Sequence, residues 1–184
     1  MPDTAPPDGT WLHRGERIIY DCPWLSLVVA DVLMPDGTQV DHHVVRMPRP
    51  AAGTIIVADG RVLLLYRHRF ITDTWGWEIP AGAVDAGESI DAAAIREAAE
   101  ESGWRPTTVE PLCAFNPANG VLQQRFHIFV SRDAVDVGGP TDRNEAARIE
   151  WFDVADVRRM LLDGDINDGL SFGGLLYALT AGAI

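Results

Sequence analysis

The chain has only two cysteines, Cys22 and Cys113, far apart and in no C-x-x-C pair. That excludes a disulfide scaffold or a zinc ribbon and fits a reducing compartment. Positive charge is also scarce: 15 Lys and Arg against 27 Asp and Glu leave a formal net charge of −12. Such a surface repels nucleic-acid backbone and anionic membrane, so neither is expected as a partner. Long apolar runs are missing, and the most apolar tail, Ser171 to Ile184, is too short and glycine-broken to span a bilayer. The opening MPDTAPPDGT has neither the basic nor the apolar region of a secretion signal, and a cytoplasmic protein is expected. Walker phosphate loops, GxGxxG turns and GxSxG elbows are lacking too, which removes three common catalytic readings.

What is present is ordinary globular composition, 47% hydrophobic and 23% charged over 184 residues, enough to bury a core without staples. Residues 1–15 read as a disordered lead and residues 16–50 as a β appendage. Within the appendage, Arg17–Tyr20 and Trp24–Met34 are strand-like, Pro35-Asp36-Gly37 is a turn, and Thr38–Met47 returns. From residue 51 the texture changes. Thr54–Val57 and Val62–Tyr66 are continuous apolar runs around the turn Ala58-Asp59-Gly60, as expected of strands covered on both faces. A helix is expected from Ile90 to Ser102, with Ser89 as N-cap and Gly103 as its left-handed stop. Strands at Val109–Phe115, Gln124–Arg132 and Arg148–Phe152 and helices at Val154–Leu162 and Ser171–Leu179 complete a mixed α/β layered domain over residues 51–184.

The stretch from Gly82 to Trp104 carries the chemistry. At 3.6 residues per turn, Glu97, Glu100 and Glu101 share one helical face, where like charges repel by a few tenths of a kcal/mol per pair. Such a face is either solvated or neutralised by a cation. Hard oxygen ligands at this spacing suit Mg²⁺ or Mn²⁺, which take their remaining ligands from water and substrate phosphates. Glu88 could complete the cluster, and Arg96 could orient a carboxylate through a forked hydrogen bond. Of the histidines, His42 and His43 are adjacent on a strand and cannot chelate one ion together, and His68 and His127 stand singly.

The whole frame is Gly82, five residues, Glu88, seven residues, Arg96-Glu97, two residues, Glu100-Glu101, one residue, Gly103. It resembles the Nudix box of the Nudix hydrolases, and seven such fixed positions coincide by chance on the order of 10⁻⁸ per window. Ala98 and Trp104 replace larger or aliphatic residues at two packing positions. The resemblance implies an α/β/α sandwich with a mixed sheet. It also implies divalent ions held by Glu97, Glu100, Glu101 and the backbone carbonyl of Ala81, and hydrolysis of a nucleoside diphosphate linked to another group. The lead-in Trp75-Gly76-Trp77-Glu78-Ile79-Pro80-Ala81-Gly82, behind Tyr66-Arg67-His68-Arg69, is similar to the ADP-ribose and ADP-sugar pyrophosphatases. There the arginine matching Arg67 contacts diphosphate and the glutamate matching Glu78 shapes the substrate site.

In that subgroup the β appendage pairs with a second subunit, so a homodimer is expected. Trp24 could stack a nucleobase, although a core tryptophan is the commoner case. Downstream, Asn116-Pro117-Ala118-Asn119-Gly120 keeps the proline of a Ser-Pro-Gly motif, while Gln123-Gln124 stand where an acid is usual. That departure leaves open a nucleoside triphosphate substrate, or a silent nucleotide-binding domain, beside ADP-ribose. For the general base the resemblance offers Glu145, on the stretch from Thr141 to Ala147, or Glu100.

Overall fold

The computed structural model describes residues 8–140 and 146–184. In chain order the first strands are β1 (Leu12–Asp21), β2 (Ser26–Leu33), β3 (Gln39–Arg46), β4 (Ala51–Ala58), β5 (Arg61–Arg69), β6 (Thr74–Glu78) and β7 (Ala81–Ala83). Helix α1 (Ile90–Ser102) follows, then β8 (Trp104–Pro106), β9 (Glu110–Phe115), β10 (Leu122–Gln123), β11 (Phe126–Ser131), β12 (Ala134–Asp136) and β13 (Arg148–Asp153). The chain closes with α2 (Val154–Asp163) and α3 (Gly169–Thr180). The chain forms two compact units.

The first unit runs to Pro48 and takes in the returning segment Ala118–Gln124. Its sheet has the order β1-β2-β3-β10, antiparallel except for the short β3–β10 pair. β1 opens at Leu12, so residues 12–15 belong to a strand and not to a disordered lead; residues 1–7 lie outside the described residues. β1 is an edge strand with Ile18, Ile19 and Tyr20 all exposed. The turn into β3 forms as expected, with Gly37 at φ 86 and the Asp36 carboxylate accepting the Thr38 N–H at 2.8 Å.

The second unit carries a mixed sheet of order β13-β5-β4-β11-β9, with β6 added beside β5 and β7 beside β4. β4 and β11 pair in parallel and the other neighbours are antiparallel. Asp59 and Gly60, at φ 49 and 72, make the two-residue hairpin that joins β4 to β5. The apolar strands are covered on both faces. On one side Ala93, Ala94 and Ala98 of α1 lie on Ala52, Phe129, Ile56 and Leu63, and the alanines let the helix approach closely. On the other, Val157, Met160 and Leu161 of α2 and Leu170, Leu175 and Ala178 of α3 lie on Ile55, Val62, Leu64, Trp77 and Ile128. Ala98 is fully buried at its small slot, and Trp104 packs edge-on against Trp151 at 5.2 Å, which accommodates both departures from the box pattern.

Candidate active site

Helix α1 is held at three points. The Ser89 side chain accepts the Ala92 N–H, the Thr54 hydroxyl donates to the buried Ala94 carbonyl at 3.0 Å, and Gly103 closes the helix at φ 75. That fixes the rotation of the helix, and with it the direction in which its acids point.

Arg96 is the hub of those acids. Its Nε and Nη2 donate to the two oxygens of Glu88, each at 2.9 Å. Its Nη1 sits between Glu97 Oε1 at 2.8 Å and Glu100 Oε2 at 3.0 Å, and Nη2 also reaches the Ala83 carbonyl at 3.1 Å. The forked pairing with Arg96, helped by the Asp85 N–H, holds the Glu88 carboxyl down at about 2. Glu88, expected to complete a metal cluster, is therefore engaged by Arg96 at the start of the helix.

Glu101 turns the other way, into the protein. One oxygen accepts the Ala81 N–H at 2.8 Å and the other accepts Arg67 Nη1 at 3.0 Å. Arg67 is only 6% exposed, and its Nε lies 3.7 Å from a carboxylate oxygen of Glu78, itself 2% exposed. Arg69 meets the same Glu78 with both Nε and Nη2, the first at 2.9 Å. Arginine and glutamate thus alternate from half-exposed Arg69 through Glu78 and Arg67 to Glu101. Arg67 and Arg69, which together read from sequence as a phosphate pocket, stand two apart on β5 and so share one face of the strand.

The donor set suits a hard dication. Glu97, Glu100 and Glu101 supply carboxylate oxygens on one helix, and the pair Glu97–Glu100 already encloses one positive charge, that of Arg96. The Glu97 carboxylate also fills the space that any Cβ at Gly82 would take, 2.2 to 2.4 Å from its atoms, so a glycine is required there for the acid to approach β7. Among the described residues no three His, Cys, Asp or Glu side chains converge tightly enough to form a ready-made shell.

The remaining candidates are dispersed. Trp24 lies in the β1–β2 turn of the first unit and is 69% exposed, which rules out the core role. Pro117 follows β9 and is partly buried. Glu145 lies outside the described residues. His42 Nε2 donates to the Gly120 carbonyl and His68 pairs with Asp73, and neither contact involves the box.

A model of the NUDIX domain matches residues 47–170, most of the chain. The chain belongs to the Nudix family. This Nudix hydrolase is 41% identical over 176 residues to a CMP-5'-(N-acetyl-N-hydroxy-3-aminopropyl)phosphonate hydrolase of Streptomyces rubellomurinus, covering 94% of the chain and 84% of the relative. It is 30% identical over 156 residues to an ADP-ribose pyrophosphatase of Mycobacterium tuberculosis, covering 82% of the chain and 75% of that relative. Its fold matches a crystal structure titled an ADP compounds hydrolase at a TM-score of 0.84 and 18% identity, covering 98% of this chain and all of the other. No helix among the described residues of this Nudix chain is long and apolar enough to cross a membrane.

Proposed function

We propose that the protein hydrolyses the P–O–P bridge of a nucleoside diphosphate linked to another group, with ADP-ribose or another nucleoside diphosphate sugar as the leading substrate. The observation that carries this reading is the seating of the box acids: Glu97 against Gly82, and Glu101 locked between Arg67 and the Ala81 N–H. Water attacks one phosphorus, the bridging oxygen leaves with the other, and two monophosphates result. Glu97, Glu100, Glu101 and the Ala81 carbonyl would hold Mg²⁺ or Mn²⁺, which when bound neutralises phosphoryl charge and acidifies water. The chain's own part is to fix those oxygens, which it does through Arg96 and Arg67, and to accept the proton of the attacking water. Arg67 and Glu78, both buried, would shape the substrate site from β5 and β6, and Pro117 would be a further substrate contact.

The general base is Glu145 or Glu100. Glu145→Gln is expected to cut turnover ~10²–10⁴-fold with substrate binding kept, and full turnover in that variant would assign the role to Glu100. A second reading is favoured by the 41% identity to the phosphonate hydrolase: the group beyond the bridge is a phosphonate, and the nucleotide is a cytidylate. A panel of ADP-ribose, other nucleotide sugars, CMP-phosphonate anhydrides and nucleoside triphosphates, run with Mg²⁺ and read by product analysis, separates these substrates. Failure to cleave any of them would leave a nucleotide-binding role. The exposed edge strand β1 supports a homodimer formed through the first unit. The free thiols Cys22 and Cys113 support a cytoplasmic setting.

A further inference from the structure

Strand β6 has two edges, and β5 takes one of them. The connection between α2 and α3 covers the other and the residues that follow it. There the Trp75 carbonyl accepts Asn167 Nδ2 at 3.4 Å, and the Trp77 N–H donates to the Asp165 carbonyl at 2.8 Å. Next in the row, the Ile79 N–H donates to Ser171 Oγ at 3.1 Å. Residues 75, 77 and 79 alternate with those turned toward β5, so one segment of chain satisfies the whole row. Two glycines make room for it. A Cβ at Gly76 would lie 2.7 Å from Asn167 Oδ1, and one at Gly53 would lie 2.8 Å from Leu170 Cδ2 and 3.0 Å from the Ala81 Cβ.

Ser171 makes the most deeply buried of these contacts. It is fully buried in the first turn of α3, and Asp168 Oδ2 accepts both its N–H at 2.8 Å and its hydroxyl at 2.9 Å. With the hydroxyl proton committed to Asp168, the serine oxygen presents a lone pair to Ile79. From there three successive residues are tied. Ile79 is held by α3, the Pro80 carbonyl accepts the Thr54 N–H of β4 at 3.0 Å, and the Ala81 N–H donates to Glu101 Oε2 of α1 at 2.8 Å. Because α3 and α1 lie on opposite faces of the sheet, the ties run through it from one helix layer to the other. Loss of the Ser171 oxygen would strand the buried Ile79 N–H, and only movement of the Ile79 backbone would relieve it.

We propose that Ser171, with its hydroxyl oriented by Asp168, is a positioning residue for the dication site. It holds the Ile79–Ala81 backbone in the setting where the Ala81 N–H meets Glu101 and the Ala81 carbonyl is left to a cation. This role rests on the dication reading given under Proposed function. It makes α3, which adds no acid to the box, part of the frame that aims one. It also gives a reason for a buried hydroxyl in a helix that is otherwise apolar on its inner face.

Two readouts on the full chain test this: Mn²⁺ titration followed by electron paramagnetic resonance, and hydrogen exchange of the Ile79 and Ala81 amides without metal. Ser171→Ala is expected to weaken Mn²⁺ binding about ten-fold, the low end for partners that orient metal ligands, and to speed exchange of both amides. Ser171→Thr keeps the hydroxyl and is expected to restore both. Gly164→Ala strains the same connection where a Cβ meets nothing within 4 Å. It should lower the melting temperature and leave Mn²⁺ affinity unchanged. If Ser171 serves stability alone, Ser171→Ala will melt lower yet keep the parent's Mn²⁺ affinity and Ala81 exchange rate, and that result overturns the proposal. Should Ser171→Ala fail to fold, Asp168→Ala frees the hydroxyl without removing it; weaker Mn²⁺ binding there supports the role and unchanged binding overturns it. A parent protein that takes up no Mn²⁺ would overturn the dication reading itself, a result distinct from equal affinity in parent and variant.

Discussion

At Gly82 the missing side chain is what lets an acid reach its place, because the Glu97 carboxyl carbon lies 2.2 Å from where a Cβ would stand. Only the far end of a flexible side chain would be displaced, so Gly82→Ala is expected to fold and melt as before. Its turnover should fall about 100-fold, the usual result of moving a catalytic group by an ångström. A parallel loss of melting temperature would mean that the glycine serves packing instead. Glu88 has a different, pH-readable role. Its carboxyl is held down at about 2, from an ordinary 4.5, by the Arg96 fork. A depressed folded-state value contributes stability that is complete above 4.5 and is lost as the pH falls toward 2. Unfolding curves of the parent and Glu88→Gln should therefore converge over that window and separate above it. A stability gap that stayed constant from pH 7 to about 2 would show that the pairing with Arg96 is not what Glu88 supplies.

At the scale of the element, α1 was the most legible part of the chain. Its limits, its Ser89 cap and its Gly103 stop all follow from residue types with one local reason each, and the observed helix spans Ile90–Ser102 as expected. The long apolar strands β4 and β5 were legible for the same reason. β7, β8, β10 and β12 were not, because two or three residues have no period to read and exist only through pairing with distant partners. β6 was not legible for another reason: nothing local in the lead-in Trp75–Gly82 marks a strand, and its pairing with β5 is what sets Glu78 between two arginines. Acidic spacing was visible in the sequence, and so was Arg96 as a carboxylate partner, but the Arg67–Glu101 pair was not, since it joins residues 34 positions apart. The C-terminal stop of α1 has a neighbour as well as a backbone angle. A Cβ at Gly103 would lie 2.4 Å from Gly139, whereas Gly164, the stop of α2 at φ 84, has open space around it. Both replacements by alanine strain a left-handed residue by about 1 kcal/mol, and Gly103→Ala adds a backbone clash. Urea unfolding should show Gly103→Ala as the more damaging by about 1–3 kcal/mol, and equal losses would remove the Gly139 contact from the account.

For the molecule as a whole, a net charge of −12 has to be reconciled with a polyanionic substrate. Local arginines do part of this, and every one of the 15 basic residues is arginine. Arg96 and Arg67 are, however, spent on the box acids, so the surplus of carboxylates at α1 still calls for added positive charge. The edge strand β1, with Ile18 and Ile19 exposed, gives the molecule a second unfinished surface. Sedimentation is expected to return twice the 20.1 kDa chain mass, and Ile18→Lys with Ile19→Lys should return it to the single mass. A parent protein that sediments as one chain would remove the dimer. Binding of dications by the carboxylates of α1 is tested most directly by Mn²⁺ titration followed by electron paramagnetic resonance, in the parent and in Glu97→Gln. The parent should take up Mn²⁺ and the variant should bind it at least ten-fold more weakly, since even an outer partner of a metal ligand is worth that much. Equal Mn²⁺ affinity in the two proteins would contradict the central claim.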